Sequence, residues 1–307
     1  MATRSASSAG STIESNWAAE HERSIDALRR DVDFLAIQIG PRNLYHYAAL
    51  AQCADFCERS FYDMGCTPFL QGYNARNRVF RNIGAEIEGS TRRDEIVVVG
   101  AHYDTHKNSP GANDNASAIA ALFQLARAFA GSRPARTMRF IAFTNEESPF
   151  TRTRYMGSRV YAKECRRRGD NVIAMVGLEM LGCYRPHKGA QWLSLGGYFL
   201  PQQGNFLALV GNRSSRPLLK QIAQLLSTNE TLRSVPVTLP THFPGARSSD
   251  HWSFWMEGFQ AVMATDTGPL RYPYYHRAGD TPDKLNFTWL AQITIALEAA
   301  LRALANP

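Results

Sequence analysis

Apolar runs that alternate with helical segments constrain the fold of this chain more than any other feature. EIVVVGAHYDT at residues 95–105 and TMRFIAFT at residues 137–144 are nearly continuous apolar runs, typical of strands buried on both faces of a sheet. Between them, residues 114–131 have the composition of a helix, with Asp114 or Asn115 as candidate N-cap and Gly131 just past the end. Strands that alternate with helices in this way predict an α/β fold.

The same alternation continues towards the end of the chain. It predicts further strands at residues 78–89, 172–181, 206–212 and 261–267, and helices at residues 156–169, 216–228 and 287–305. Residues 20–64 have helical patterns instead. The first of these places Ile25, Leu28, Val32, Leu35 and Ile37 near a helical period and stops at Gly40 and Pro41, and the second is closed by Gly65. The fold class is therefore an α/β sandwich with a largely parallel central sheet.

No repeat, low-complexity segment or linker divides the 307 residues, which are enough to bury a sizeable core. Residues 1–15 are small and polar, and we expect them to form a disordered tail. We expect residues 16–66 to form an N-terminal helical extension and residues 67–307 to form the main domain. The whole is predicted to be one compact unit.

Charge and cysteine content argue against several classes of protein. The formal net charge of +7 comes mainly from arginine, and no basic stripe interleaved with aromatic residues indicates nucleic-acid binding. The five cysteines are odd in number and form no regular frame, which predicts buried thiols rather than disulfides or a zinc knot. The sequence shows neither a secretory h-region nor an apolar run of about 18 residues. We therefore expect a soluble cytoplasmic protein without a nucleic-acid or membrane partner.

Histidines and carboxylates that are unusual beside apolar runs follow the predicted strands. The clearest case is the pair Glu146 and Glu147, directly after TMRFIAFT, because an ionised carboxylate avoids apolar surroundings unless its charge is compensated. In a sheet of this kind, ligands bind beyond the carboxyl ends of the strands. The residues at those ends are His102, Asp104, Asp114, Glu146, Glu147, Glu179, His276 and Asp280.

Each of these residues has an ordinary structural explanation when it is considered alone. A lone histidine after a strand is usually a hydrogen-bonded surface or core residue. Asp114 can be a helix N-cap, Asp280 a turn or cap residue, and Glu179 can pair with an arginine such as Arg185. Together, however, so many carboxylates at one rim of a sheet repel each other unless cations lie among them.

The chemistry of the candidate ligands selects the metal. Two imidazoles and three carboxylates without a thiolate suit Zn²⁺, with Mn²⁺ or Co²⁺ as possible substitutes. Five side chains exceed the three that one catalytic zinc normally takes, but they suit two ions if one carboxylate bridges them. Asp104 lies two residues from His102 and is expected to hold its ring.

At these residues the sequence resembles the co-catalytic dizinc aminopeptidases, a family that also contains the glutaminyl cyclases. The resemblance covers roughly residues 78–303 and rests on AHYDT, GANDNASA, FTNEES, MGSRVYA, LEMLG, SDHWSFW and YYHRAGDTPDKL, in the family's order. It implies a three-layer α/β/α sandwich around a mixed, mostly parallel sheet of about eight strands. The segment before residue 67 is not part of the core that the family shares.

The resemblance also implies roles for individual residues. His102 would bind one zinc, Asp114 would bridge both ions, Glu147 and Glu179 would be terminal ligands, one for each ion, and His276 would complete the second zinc. Glu146 matches the family's general base, Asp104 matches the residue that orients the first histidine, and Asp250 lies in a motif near the pocket without an assigned role. Many members have aspartate at the position of Glu179, which leaves the zinc preference of this ligand open.

The implied function is that of a zinc-dependent exopeptidase. It would hydrolyse the N-terminal peptide bond of a peptide with a free N-terminus, using a water held by two Zn²⁺ ions and Glu146 as general base. Two alternatives stay open: a glutaminyl cyclase, which is a single-zinc acyltransferase, and a non-catalytic binding module on the same fold. Aromatic residues in GGYF at 196–199 and HFPG at 242–245 give a weak indication of a preference for apolar N-terminal residues.

Overall fold

The computed structural model describes residues 21–191, 200–229 and 231–307. The tail expected at residues 1–15 and the GGYF segment lie outside these ranges. The strands are β1 (Pro68–Ala75), β2 (Arg78–Ile87), β3 (Arg92–His102), β4 (Arg136–Phe143), β5 (Asn171–Glu179), β6 (Leu207–Gly211), β7 (Ser234–Thr238) and β8 (Ala261–Thr265). The helices are α1 (residues 21–33), α2 (Tyr47–Asp63), α3 (Ser117–Phe129), α4 (Gly157–Arg168), α5 (Arg216–Leu226), α6 (His251–Met256) and α7 (Phe287–Ala305).

The eight strands form one mixed sheet in the order β1-β2-β4-β3-β5-β8-β6-β7. Strand β3 lies near the centre, parallel to both β4 and β5, and β8 continues the parallel set beside β5. On one side, β2 runs antiparallel to both β4 and β1. On the other side, β6 runs antiparallel to β8. The carboxyl ends of β3, β4, β5 and β8 therefore lie at the same edge of the sheet, as the sequence predicts.

Helices cover both faces of the sheet. On β3, Val97 and Val99 belong to one apolar cluster, formed with helices α2, α3, α5 and α7. The alternate residues Ile96 and Val98 belong to a second cluster on the opposite face, with Tyr161 of α4 and others. Because successive side chains of a strand point to opposite faces, this division produces the three-layer α/β/α architecture that the resemblance implies.

Two strands, β1 and β7, are not predicted by the sequence patterns. Strand β1 is the edge strand of the sheet and its residues are mostly half-buried, so it shows little hydrophobic contrast. Strand β7, at the other edge, has only five residues and contains Pro236, a residue that is confined largely to edge strands because it cannot donate to the ladder. The expected number of about eight strands came from the resemblance and is confirmed.

The predicted N-cap of α3 is wrong. The helix begins at Ser117 with Ala116 at the N-cap position, and no side chain caps it. Asp114 and Asn115 precede the helix with non-helical backbone angles. The side chain of Asp114 faces the site described below, and that of Asn115 is hydrogen-bonded to the backbone of Leu178 and Met180, which explains why neither caps the helix.

The N-terminal helical pattern is correct except at its end. Leu28, Val32 and Leu35 are buried, whereas Ile37 is 65% exposed and Ala36 is buried in its place. Residues 34–39 form a π-helix, which has a different period from an α-helix and so changes the buried face after Phe34. The helices of the N-terminal segment share the apolar cluster of α3 and α7.

All five cysteines are buried free thiols, as predicted. Burial raises the pKa of Cys57 well above its ordinary value, and burial together with Asp170 raises that of Cys165 to about 11. These thiols therefore stay protonated near neutral pH, which is typical of structural rather than reactive cysteines.

Helix α7 is more apolar than the sequence analysis predicted for any segment of the chain. Among the described residues it is the one helix long and apolar enough to cross a membrane by length and composition, and most of its residues are buried. In this fold its apolar side chains, including Leu290 and Leu297, lie in the core cluster. Its hydrophobicity is thus accounted for by packing against the sheet and its neighbouring helices.

Candidate metal centre

The structure brings all five predicted ligands together at the carboxyl edge of the sheet. His102 is the last residue of β3 and Glu179 the last of β5, and Glu147 follows the end of β4. Asp114 lies in the segment before α3, and His276 lies in the loop between β8 and α7. Three neighbouring parallel strands therefore deliver three of the side chains, and two loops that fold over the same edge deliver the others.

The five side chains form two triplets that share one carboxylate. In the first, Nε2 of His102 lies 3.4 Å from Oδ1 of Asp114 and 3.4 Å from Oε2 of Glu179. In the second, Nε2 of His276 lies 3.2 Å from Oδ2 of Asp114 and 3.0 Å from Oε1 of Glu147. Within each triplet the possible ligand atoms lie within 4.8 Å of one another. Asp114 faces the two triplets with different oxygens, which is the arrangement of a bridging carboxylate.

Unpartnered polar atoms lie at the centre of both triplets. His102 Nε2 and Glu147 Oε1 are buried and have no hydrogen-bond partner in the described structure. Nε2 of His276 is near enough to Glu147 Oε1 for a hydrogen bond, but the two atoms are not aligned as one. Buried polar atoms are rarely left unpaired, and such a geometry is expected when lone pairs are directed at a third atom such as a cation.

The electrostatics of the site follow from packing carboxylates and imidazoles out of water. Burial favours the neutral form of Glu147, and with the Asp114 carboxylate it raises the pKa of Glu147 to about 7. Burial opposes protonation of His276, but Asp114 and Glu147 outweigh it and raise its pKa to about 10. The same competition, with Glu179 and Glu146 opposing burial, holds the pKa of His102 well above its ordinary value. Without a cation, protons must compensate the negative charge of this cluster.

Asp104 fixes the pair of adjacent glutamates. Its two carboxylate oxygens accept the backbone N–H groups of Glu146 and Glu147, each at 3.0 Å. Asn145, just before them, has a φ of +60°, so the chain turns sharply after β4 and presents both glutamates to the site. Nδ1 of His102 lies 3.1 Å from the backbone oxygen of Asp104 and 3.6 Å from its carboxylate. Asp104 thus contacts His102 as expected, but its carboxylate mainly holds the glutamate pair.

The segment that carries Asp114 is held by two further aspartates, Asp280, which the sequence places at the rim, and Asp266, which it does not single out. The carboxylate of Asp280 accepts the backbone N–H groups of Asn113 and Asp114 at 2.8 and 3.1 Å. Asp266, directly after β8, accepts from the side chain of Asn113 at 2.9 Å. At Gly111 φ is +64°, and an added Cβ would lie 2.4 Å from the Asp114 carbonyl, so the loop requires glycine there.

Sequence signals for these supporting residues were partly available. Asp280 was identified at the rim but can equally be explained as a turn residue, and Asp266 follows an apolar strand just as the recognised carboxylates do. Ser249, whose hydroxyl donates to Oε2 of Glu179 at 2.6 Å, lies in the SDHWSFW motif, but nothing local indicates this contact, because only the tertiary fold brings it to β5. Arg185 donates to the backbone oxygen of Arg271, so the alternative of a Glu179–Arg185 pair finds no support.

The SDHWSFW motif supplies a buried carboxylate and a packing histidine. Asp250 is buried, and neither carboxylate oxygen has a hydrogen-bond partner in the described structure. Burial raises its pKa to about 7, against the opposing influence of His102. The ring of His251 meets Trp255 edge-on at 4.6 Å, and its Nε2 lies 2.9 Å from the backbone oxygen of Ala246. His251 therefore packs in the core.

An apolar cavity opens beside the first triplet. Its volume is about 140 Å³, and Glu179 and Tyr275 lie at its boundary with the site. Its walls are aliphatic side chains of the sheet and adjoining loops: Met180, Ala208, Val210, Val237, Met263 and Leu270. A nonpolar group placed in this cavity would lie next to the cluster of carboxylates and imidazoles.

Comparison with known proteins assigns this architecture to a family. The model of peptidase family M28 matches residues 82–301, which include every member of both triplets. The chain belongs to peptidase family M28. The M28 match begins within β2 and ends within α7, so α1, α2 and β1 precede it.

Individual relatives agree with the M28 assignment. The uncharacterized protein YfbL of Escherichia coli K12 is 30% identical over 286 residues, covering 88% of this chain and 85% of that protein. The structure of a zinc aminopeptidase from Bacillus subtilis superposes with a TM-score of 0.73 at 15% identity, covering 92% of this chain and 95% of that chain. A Bacteroides thetaiotaomicron glutaminyl cyclase gives a TM-score of 0.68 at 16% identity over 91% and 97% of the two chains. At these identities the structural likeness concerns the fold. Curated relatives named probable zinc metalloproteases match over only 22% to 26% of their own length.

Proposed function

We propose that this M28 peptidase is a zinc-dependent aminopeptidase that hydrolyses the N-terminal peptide bond of peptides. The observation that carries the proposal is the pair of triplets sharing Asp114, with the free carboxylate of Glu146 beside them. Family membership supports peptide hydrolysis, and the fold is similar to that of a zinc aminopeptidase.

The residues present fit two zinc ions. Imidazole nitrogens and carboxylate oxygens are standard zinc ligands, and each triplet supplies the three protein ligands usual for a catalytic site. His102 and Glu179 would hold one ion and Glu147 and His276 the other, with Asp114 between them. Cations there would also accept the lone pairs of the unpartnered atoms of His102 and Glu147. When bound, two zinc ions lower the pKa of water and polarise a peptide carbonyl.

Glu146 is suited to move the proton. Its carboxylate is buried, and Oε2 lies 3.9 Å from Nε2 of His102, yet it belongs to neither triplet. Burial raises its pKa well above the ordinary value, so this group binds a proton more readily than a solvated glutamate. Glu146 would take the proton of the attacking water and return it to the departing amine. Asp104 holds the backbone of Glu146 and so fixes the position of this base.

The apolar cavity suits the side chain of an apolar N-terminal residue. It adjoins Glu179, so a substrate whose first side chain fills it presents its α-amine and first peptide bond to the carboxylate-rich rim. We therefore propose a preference for peptides that begin with aliphatic residues, consistent with the weak sequence indication.

The test combines metal analysis with activity in a Glu146→Gln variant. We expect wild type to bind two zinc ions per chain, to release amino acids from aminoacyl-anilides and peptides, to lose this activity to a chelator and to regain it with zinc. Glu146→Gln should keep both ions but lose at least about a hundredfold in kcat, the usual contribution of a general base. Glu88→Gln, at an exposed position, is the matched control. Loss of zinc in the Glu146 variant would contradict its assignment as a base.

The same preparation distinguishes the alternatives. A glutaminyl cyclase would release ammonia from peptides with N-terminal glutamine and bind one zinc per chain. A binding module would show no turnover in any metal state. The five converging ligands favour the hydrolase over the single-zinc cyclase, because they suit two ions. The separate Glu146 favours an enzyme over a binding module, because a module without catalysis has no need of a buried carboxylate beside the metal ligands.

A further inference from the structure

The ring of His276 is held in an unusual way. Its backbone has a φ of +57°, in the left-handed region that few non-glycine residues adopt. The ring of Tyr275 stacks on it with centroids 3.7 Å apart and planes at 21°. The ring of His106 stacks on it with centroids 4.3 Å apart and planes at 8°. Two rings cannot occupy one face at these distances, so His106 and Tyr275 cover opposite faces of the imidazole.

This stack takes the place of the hydrogen bond that usually orients a metal-binding histidine. Such a histidine normally donates its second ring N–H to a carboxylate or carbonyl. His102 follows that rule, because its Nδ1 lies 3.1 Å from the backbone oxygen of Asp104. Among the described residues, His276 has polar contacts only through Nε2, to Asp114 and Glu147. The two flanking rings are therefore what fixes its ring plane.

His106 is itself placed by the N-terminal segment. The side-chain amide of Asn43 donates to the backbone oxygens of His106 and Lys107 at 3.3 and 3.1 Å. Nδ1 of His106 is buried and has no hydrogen-bond partner in the described structure. No polar contact of the His106 ring with another described residue thus competes with the stack.

We propose that His106 is a positioning residue, whose stacked ring directs Nε2 of His276 at the second triplet. The inference rests on the proposed function, since it assigns His276 to a zinc ion. It also gives the N-terminal segment, which lies outside the M28 match, a role in the active site: Asn43 holds His106, and His106 holds His276. Stacking requires a flat ring but no nitrogen, which separates this role from an acid–base role of His106.

The experiment measures zinc affinity at both sites by competition with a chromophoric chelator, in wild type, His106→Ala, His106→Phe and His46→Ala. His46 is an exposed histidine of the same N-terminal segment and serves as the control. We expect His106→Ala to weaken one of the two zinc sites about tenfold, the usual effect of losing a supporting contact to a ligand, and to leave the other unchanged. His106→Phe, which keeps the stacked ring, should bind both ions as wild type does. Thermal unfolding of the metal-free variants checks that each is folded.

Unchanged affinity in His106→Ala would overturn the proposal, and so would a loss in His106→Phe equal to that in His106→Ala. If wild type binds only one zinc, and His276→Ala leaves the affinity for it unchanged, the second triplet is not a metal site, and both this inference and the two-zinc centre fail. Two zinc ions in wild type with no effect of His106→Ala would overturn the inference alone.

Discussion

Asp280 binds no proposed metal ion, yet its hydrogen bonds place the backbone of Asp114. It accepts two backbone N–H groups of the loop and the hydroxyl of Tyr272, the last at 2.7 Å. We expect Asp280→Ala to lower the free energy of unfolding by roughly 3 kcal/mol or more, because three buried donors lose their acceptor. It should also weaken zinc binding at both triplets, since both use Asp114. Urea unfolding and zinc competition measure the two effects.

Tyr272→Phe is the matched control for this prediction. It removes one of the three hydrogen bonds and leaves the carboxylate, so we expect a cost of about 1 kcal/mol and nearly unchanged zinc affinity. Equal effects of the two variants on zinc affinity would mean that Asp280 does not hold the Asp114 loop.

At the scale of residues, the sequence predicted the members of the site that lie at strand ends. His102, Glu147 and Glu179 were found because a polar residue that closes an apolar run is conspicuous. Ser249 and Asn43 could not be found, because the residues they contact are distant in sequence. Ser249 lies 70 residues from Glu179, and Asn43 lies 63 residues from His106. Such contacts depend on tertiary packing, which leaves no local pattern.

At the scale of elements, a buried arginine, in addition to Asn43, joins the N-terminal segment to the active-site loop. The guanidinium of Arg42 is fully buried and donates to five backbone oxygens, those of Leu35, Gly40, Tyr103, Pro110 and Gly111. The backbone N–H of Arg42 also donates to the Thr105 hydroxyl at 3.0 Å. The loop between His102 and Asp114 is therefore fastened to a segment that precedes the M28 match.

We expect Arg42→Lys to weaken the attachment of the N-terminal segment to the active-site loop. A lysine ammonium has three donors on a flexible stem and cannot reproduce the planar array of five. We expect the free energy of unfolding to fall by about 3 kcal/mol or more, because several buried carbonyls lose a charged donor. Limited proteolysis should cut near residues 34–46 sooner than in wild type. Arg30→Lys, the same change at an exposed position of α1, is the control, and a similar response of both variants would count against the role of Arg42.

Elements with a strong hydrophobic pattern were predicted best. Strands β3, β4 and β5 are buried on both faces and so read as continuous apolar runs, whereas the edge strands β1 and β7 lack that signal. The boundary of α3 was misplaced because Asp114 fits the chemistry of an N-cap and of a metal ligand equally well. The π-helix at residues 34–39 could not be predicted, because the expected pattern of buried residues assumed the period of an α-helix throughout.

At the scale of the whole molecule, the buried carboxylates of the site carry negative charge that either cations or protons must compensate. In the metal-free chain the pKa of Glu147 is raised to about 7 and that of His276 to about 10, both above their ordinary values of 4.5 and 6.5. The folded chain therefore binds protons that the unfolded chain releases. By linkage, this contribution to stability is complete at low pH and is lost as pH rises, between about 4.5 and 7 for Glu147 and between about 6.5 and 10 for His276.

Zinc replaces these protons, because its ligands bind it in their deprotonated form. We therefore expect the metal-free protein to melt at lower temperature at pH 8.5 than at pH 5.5, and zinc to raise the melting temperature by more at the higher pH. Calorimetry of metal-free and zinc-saturated protein at both values measures the difference. In His276→Ala the dependence on pH above about 7 should weaken, because one of the proton-binding groups of the site is gone. A zinc effect that is constant or smaller at pH 8.5 would show that the charge of this cluster is compensated in some way other than by a metal.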